Sequence, residues 1–419
     1  MGFILLNLRK YMNFYMKTLL VLLGGAYALT AVGWSVAVNS QQPKLTQQQH
    51  RPRTQQKQNS LSQESKLAQA SELHEQAQEL YEQGKYLQAI PLVERALTIQ
   101  QQVLGTEHPD VATSLNNLAQ LYKLQGRYQK AEELYIQALE MNKKWLGTEH
   151  PDVATSLNNL AELYYSQGRY EQAEALYIQA LEMRKKLLGP EHPSVTRSLN
   201  NLAGLYYSQG RYEQAEALYI QALEMKKKLL PREHPSVAIS LNNLAVLYKS
   251  QGRYSQAESL YIQALEMTKK LLGQQHPDVA TSLNNLAGLY FSQGKYEQAE
   301  SLYIQALDMI KKLLGAEHPS VATSLNNLAQ VYNSQGRYSE AEALLIQALE
   351  MIKKLLGAEH PSVATSLNNL AGLYFSQGRY NQAEPLLEKA LKIATEELGE
   401  EHPLTRTISD NLEALLNLR

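Results

Sequence analysis

The chain has 419 residues, with 40 Lys and Arg against 41 Asp and Glu, a formal net charge of −1 and no cysteine. Without cysteine there are no disulfides and no thiolate chemistry. Eight of the basic residues but a single acidic one, Glu64, fall in residues 1–66, so the rest is acidic, which argues against nucleic acid as a partner because that requires a basic face.

The first predicted element is the uncharged run from Thr18 to Val38, preceded by Arg9, Lys10 and Lys17. As a helix it reaches about 31 Å, enough to cross a bilayer core. Residues 1–38 therefore read as a signal peptide or an N-terminal membrane anchor. Ser35 and Ala37 permit cleavage after Ala37, the length of the run favours an anchor, and Gly24, Gly25 and Gly33 weaken it as a helix. Both readings stay open, as does a start at Met16, where Met-Lys-Thr-Leu-Leu resembles the opening of a signal sequence. The protein is expected to be exported or membrane-anchored through residues 18–38, and any membrane contact runs through that segment. Residues 39–66 are Gln-rich and carry Pro43 and Pro52. Such a segment buries too little apolar surface to offset its chain entropy, so it is predicted to be a disordered linker.

From Leu67 the chain repeats every 42 residues. Leu-Asn-Asn-Leu-Ala begins at Leu115, Leu157, Leu199, Leu241, Leu283, Leu325 and Leu367. Gly-Arg/Lys-Tyr begins at Gly84, Gly126, Gly168, Gly210, Gly252, Gly294, Gly336 and Gly378, and His-Pro closes each repeat from His108-Pro109 to His402-Pro403. Within the second repeat, Leu115, Leu118, Ala119 and Tyr122 share one helical face, which predicts a first helix ended by Gly126. Ala131, Leu134, Tyr135, Ala138, Leu139 and Leu146 predict a second helix stopped by Gly147. Pro151 suits the first turn of the next helix, with Asp152, or Ser in other repeats, adding a polar group near its N-terminus. Small Ala119 and Ala138 stand where helices approach closely, with Tyr122, Tyr128 and Tyr135 filling the space beside them. The result is an all-α, water-soluble stack of helix pairs in which each pair needs neighbours to bury its stripes.

These motifs resemble the tetratricopeptide repeat (TPR), in the 42-residue form found in kinesin light chains, over residues 67–419. The first repeat departs from the pattern: His74-Glu75 stand in place of Asn-Asn and Leu80 in place of Tyr, as in an N-terminal cap. Arg406 to Leu418 begin a ninth first helix without a partner, with Asp410-Asn411-Leu412 in place of Asn-Asn-Leu. The resemblance implies a right-handed TPR superhelix, an α-solenoid of about eight helix pairs plus a C-terminal capping helix. It implies that the first helices line a concave groove for extended peptides or partner helices. It implies no motor, and the coiled coil that joins kinesin light chains to their heavy chains is not recognisable in residues 1–66.

In related repeats the second Asn of each pair faces the groove, which marks Asn117, Asn159, Asn201, Asn243, Asn285, Asn327 and Asn369 as partner-binding. A carboxamide both donates to and accepts from a peptide backbone; the alternative is that these side chains bond a neighbouring helix. Specificity is expected from positions that vary between repeats. One turn on stand Gln120, Glu162, Gly204, Val246, Gly288, Gln330 and Gly372. Beyond them come Lys123, Tyr165, Tyr207, Lys249, Phe291, Asn333 and Phe375, where aromatics beside small residues would make pockets. Arg127, Arg169, Arg211, Arg253, Arg337 and Arg379 could pair with an acidic ligand or be solvated. Enzyme chemistry finds no support: His occurs once per loop, at spacings that cannot converge on a metal, and no phosphate-binding Gly-rich loop is present. The expected function is a non-catalytic protein-protein interaction scaffold, without cofactor, that binds a partner peptide or helix in the groove. The alternatives are a membrane-anchored adaptor for assembly of a membrane complex and a sensor of a free peptide or small ligand.

Overall fold

The computed structural model describes residues 53–231 and 233–418. The candidate signal or anchor, residues 1–38, and the linker up to residue 52 lie outside the described residues. Among the described residues no helix is long and apolar enough to cross a membrane.

The described residues form seventeen α-helices. They pair in sequence as α1 (Arg53–Glu82) with α2 (Tyr86–Leu104), α3 (Pro109–Leu124) with α4 (Tyr128–Leu146), and α5 (Pro151–Ser166) with α6 (Tyr170–Leu188). Then come α7 (Pro193–Ser208) with α8 (Tyr212–Leu229), α9 (Pro235–Ser250) with α10 (Tyr254–Leu272), and α11 (Pro277–Ser292) with α12 (Tyr296–Leu314). The last pairs are α13 (Pro319–Ser334) with α14 (Tyr338–Leu356) and α15 (Pro361–Ser376) with α16 (Tyr380–Leu398), followed by the single α17 (Pro403–Leu416). This is the all-α repeat array with a terminal helix that the periodicity implied. Its described residues divide into two compact blocks, 53–163 and 164–418.

One boundary differs from expectation. Helix α1 begins at Arg53, inside the segment expected to be a disordered linker. Nothing after Pro52 breaks a helix, and Gln, Lys, Glu and Leu are all good helix formers. The apolar anchors Ala70, Leu73 and Ala77 are buried, and the polar residues upstream, of which 62–66 are exposed, extend the helix they hold, so low apolar content here goes with a helix.

The repeat punctuation has local causes. Gly168 takes φ +70°, its N–H bonds the Tyr165 carbonyl at 3.0 Å, and the Arg169 N–H bonds the Tyr164 carbonyl at 2.9 Å. This closes the last turn of α5 in a Schellman arrangement. A Cβ at Gly168 would also stand 2.7 Å from Pro403 Cδ, so both conformation and space demand glycine there. The loop that follows α8 lacks the usual Gly: Leu230 is extended (φ −117°, ψ 160°), as a residue before Pro231 must be.

At the first-helix N-termini, Pro occupies the first turn as predicted, but the preceding His is the cap. His108 Nδ1 accepts from the Asp110 N–H at 3.2 Å, His234 Nδ1 from Ser236 at 3.1 Å, and His360 Nδ1 from Ser362 at 3.0 Å. The expected polar contributor, Asp or Ser two residues on, supplies the backbone N–H instead.

His402 does this for α17 and more. Its Nδ1 accepts from the Leu404 N–H at 3.1 Å, and its Nε2 lies 3.2 Å from the Ser166 carbonyl. That pair of contacts requires the neutral ring with its proton on Nε2. Burial lowers the His402 pKa below its ordinary value of 6.5, although the Ser166 bond pulls the other way. A histidine depressed in the folded state binds its proton more readily when unfolded, so it contributes stability above about pH 6.5 that is lost on acidification. Thermal unfolding at pH 7.5 and 5.5 should show a lower midpoint at pH 5.5 and a smaller drop in His402→Asn, which keeps a cap that does not titrate. Equal drops in the two proteins would refute this role.

Candidate functional site

The first helices bury more than one stripe. In α3, Val111, Leu115, Leu118 and Ala119 are joined by Leu121, which has 0% exposure. From α7 to α15 each first helix packs against its own second helix and the second helix before it, which leaves the side that carries the second Asn less covered.

The two Asn of each pair have different roles. The first Asn serves the scaffold. Asn116 and Asn200 donate to Ala112 and Thr196 carbonyls of their own helices at 3.0 and 2.9 Å. Asn242 Nδ2 reaches Ser282 Oγ of the next first helix at 3.5 Å, and Asn411 Nδ2 donates to Asn368 Oδ1 at 2.9 Å. The second Asn, the expected partner-binding residue, is half-buried at Asn159, Asn201, Asn243, Asn285 and Asn327 and buried at Asn117 and Asn369. Neither Nδ2 nor Oδ1 of Asn369 is hydrogen-bonded. Asn243, Asn285 and Asn327 make no hydrogen bond to any described residue.

One and two turns on, the variable positions are largely engaged within or between repeats. In the N-terminal block, Lys123 Nζ meets Glu162 Oε1 at 2.5 Å, with side-chain exposures of 8% and 16%, and Tyr135 donates its hydroxyl to Gln120 Oε1 at 2.8 Å. In the C-terminal block, Tyr165 and Tyr207 hydroxyls lie 2.8 and 2.5 Å from Ser208 and Ser250 Oγ in the next first helix. Ser376 Oγ donates to Asn333 Oδ1 at 2.9 Å. The aromatics also lean on the tyrosine that opens their own second helix: Tyr165 on Tyr170, Tyr207 on Tyr212, Phe291 on Tyr296 and Phe375 on Tyr380, with centroids 5.4–5.9 Å apart. Val246 and Gln330 are half-buried and Gly372 is buried. Tyr165 and Tyr207 thus spend their hydroxyls on the next repeat, Phe375 is buried with 2% exposure, and Phe291 is half-buried.

The turn arginines are not held in reserve for an acidic ligand, nor are they merely solvated. Arg211, Arg253, Arg337 and Arg379 pair with Glu174, Glu216, Glu300 and Glu342 of the preceding second helix at 2.7–2.8 Å. Each guanidinium also stacks on a first-helix tyrosine, Tyr206, Tyr248, Tyr332 or Tyr374, at 3.7–4.1 Å from the ring centroid. Arg127 and Arg169 stack likewise on Tyr122 and Tyr164 at 4.7 and 3.9 Å. Stacking and charge together hold each guanidinium in place. The Arg379 bond is the main reason the Glu342 carboxyl sits below its ordinary pKa. A second ladder joins loop and helix end, with Lys144 to Glu107, Lys228 to Glu191, Lys270 to Glu233 and Lys354 to Glu317. These residues are about half exposed or more, so each pair contributes little by itself.

Sequence reasoning missed one more polar line. Asn142 donates to Ser156 Oγ at 2.9 Å, Arg184 to Ser198 Oγ at 2.6 Å and Lys226 to Ser240 Oγ at 2.9 Å. The matching second-helix residues later in the array are Thr268, Ile310 and Ile352, also buried. The Ser of Thr/Arg/Ile-Ser-Leu-Asn-Asn recurs from the second repeat to the eighth and was the available signal. Among the described residues no three His, Asp or Glu side chains come together as a metal site.

The tetratricopeptide repeat family model matches residues 74–144, 124–186, 152–228, 194–270, 236–312, 278–354, 320–396 and 362–419, so the chain belongs to that family. TPR proteins are interaction scaffolds for protein or peptide partners and are generally non-catalytic. Among solved structures, the chain is 32% identical to a kinesin light chain protein of Podosopora anserina with nearly identical TPR-like repeats, over 49% of this chain and 97% of that one, with a TM-score of 0.42. It is 28% identical to BtubC (BKLC) of P. vanneervenii over 60% of this chain and 92% of that one, with a TM-score of 0.43. The apo form of the quorum sensor NprR of B. thuringiensis shares the fold at 17% identity, over 81% of this chain and 92% of that one, with a TM-score of 0.56. The search of curated proteins gave no match.

Proposed function

We propose that the array is a non-catalytic scaffold whose first helices hold an extended peptide or partner helix along the line of second Asn residues. The observation that carries this reading is the run of Asn243, Asn285 and Asn327. One stands in each of three successive repeats, half-buried, with its carboxamide unbonded to any described residue. A half-buried amide without a protein partner can exchange its water for a bound backbone that offers both a donor and an acceptor. The same spacing in each repeat suits a partner that runs across repeats. The uncharged run from Thr18 to Val38 supports an exported or membrane-anchored setting for the array.

The test is affinity capture from native extract with the full chain, beside the triple variant Asn243→Ala, Asn285→Ala, Asn327→Ala and a control triple on the outer face of the second helices, Ile220→Ser, Ile262→Ser, Ile304→Ser. Those isoleucines are 37–40% exposed. A partner held by the wild type and the control but lost by the Asn variant supports the reading. A partner lost only by the control, or kept by all three, overturns it.

A further inference from the structure

The N-terminal block shows what a lysine two turns past the Asn pair needs. Lys123 is 8% exposed, and its ammonium is met by Glu162, 39 residues on, from the next first helix. Lys249 holds the same place in its own repeat and is also 8% exposed. The residue 39 positions on from it is Gly288. No described residue forms an ion pair or hydrogen bond with the Lys249 ammonium. Taking an ammonium out of water without a counter-charge is unfavourable, and burial pushes the Lys249 pKa down to about 8.

A second unpaired group converges on the same point. A Cβ on Gly288 would stand 3.6 Å from Lys249 Nζ and 3.3 Å from the Tyr303 hydroxyl oxygen. Tyr303 is 6% exposed and makes no hydrogen bond to any described residue. In the second repeat the equivalent hydroxyl, that of Tyr135, has Gln120 as its acceptor. So an ammonium and a phenol, each with an internal acceptor in an earlier repeat, approach a position that carries no side chain; Gly204 and Gly372 stand at the same place in other repeats, but among the three only Gly288 has a lysine 39 residues before it.

We propose that Lys249, Tyr303 and the gap at Gly288 form a receptor for one carboxylate side chain, Asp or Glu, of the bound peptide. Glu162 shows which chemical group this scaffold sets against such a lysine. A carboxylate has two oxygens, one for the ammonium and one for the phenol, and charge-assisted bonds of this kind are among the stronger ones available. A lone acceptor such as a peptide carbonyl would leave the ammonium charge uncompensated. The inference rests on the groove reading above and specifies its chemistry: recognition by backbone along the asparagines, and a fixed acidic residue opposite Gly288.

The probe is a set of immobilised random heptapeptide pools whose central residue is fixed as Glu, Asp, Gln or Lys, bound by the labelled full chain. The wild type should retain the Glu and Asp pools about tenfold over the Gln pool, the ratio that one charge-assisted bond supports. Lys249→Met should bind all pools alike. So should Gly288→Glu, which supplies the missing carboxylate internally; its Cβ would stand 3.3 Å from the Tyr303 hydroxyl, which must give by a few tenths of an ångström, and the same position carries Gln120 and Glu162 in earlier repeats. Thermal unfolding shows that both variants are folded. Equal retention of the Glu, Asp and Gln pools by the wild type, or an undiminished acidic preference in a folded Lys249→Met or Gly288→Glu protein, overturns the receptor and leaves the groove reading standing. Wild-type binding unchanged by the Asn243, Asn285, Asn327 variant overturns the groove reading, and absence of binding to every pool overturns both.

Discussion

Leu202→Ala is expected to destabilise the array by about 2–5 kcal/mol. Leu202 lies on α7 with 4% exposure, beside Ala203 and Leu199 at 0% and 1%, and Tyr219 of α8 is 2% exposed. A closely packed interior relaxes only partly around a deleted side chain. The cavity therefore persists, and its cost adds to the lost burial. Position amplifies the effect, because in a stack each repeat is held only by its neighbours, and a weak central repeat loosens the interfaces on both sides. Urea unfolding of the full chain, with Ile178→Ala as a control, measures this. Ile178 is 40% exposed on α6, so its truncation should move stability by no more than about 0.5 kcal/mol. Equal effects of the two substitutions would contradict the packing described here.

Lys226→Ile should act in the opposite direction, raising stability by about 1–4 kcal/mol at neutral pH, the range seen when buried charges give way to apolar residues. Lys226 is 9% exposed, and its ammonium is bonded only to uncharged oxygens, Ser240 Oγ at 2.9 Å and the Ser236 carbonyl at 3.1 Å. Burial, reinforced by the charge of Arg197, lowers its pKa to about 8. The array itself supplies the replacement: Ile310 and Ile352 hold the same position and are buried. The serine is not stranded there, since Ser324 and Ser366 turn back to the Ser320 and Ser362 carbonyls at 3.1 and 3.0 Å. A lysine whose pKa falls on folding releases its proton more readily in the native state. The unfolded chain then binds more protons between about pH 8 and the ordinary lysine value, so wild-type stability should climb across that interval. The climb should be shallower in Lys226→Ile. A variant less stable than the wild type at pH 7, with the same alkaline slope, would refute the assignment.

Much of this architecture is local and was legible in the chain. Gly168 ends a helix because of its own φ, Pro151 starts one because of its own missing N–H, and Leu115, Leu118, Ala119 and Tyr122 share a face because of helical spacing alone. Each fact needs only a few neighbouring residues, so a period of 42 residues displays them all. Even the error at Arg53 was local: scarcity of apolar side chains suggested disorder, whereas a polar helix can run on from one anchored at Ala70, Leu73 and Ala77.

The site was harder to read because its contacts join residues 37 to 43 positions apart, such as Arg379 with Glu342, Lys123 with Glu162 and Tyr165 with Ser208. Which of these side chains meet depends on the rotation and offset between successive helix pairs, and no spacing within one repeat encodes that. The same geometry turned the arginines inward onto tyrosine and glutamate and divided the two asparagines between the scaffold and the less covered side. It also set a buried lysine opposite a glycine. Sequence period and caps determined that there would be helix pairs and where each would end; packing between repeats decided which polar groups found partners, because burial, unlike helical propensity, is a property of neighbours brought together only by the fold.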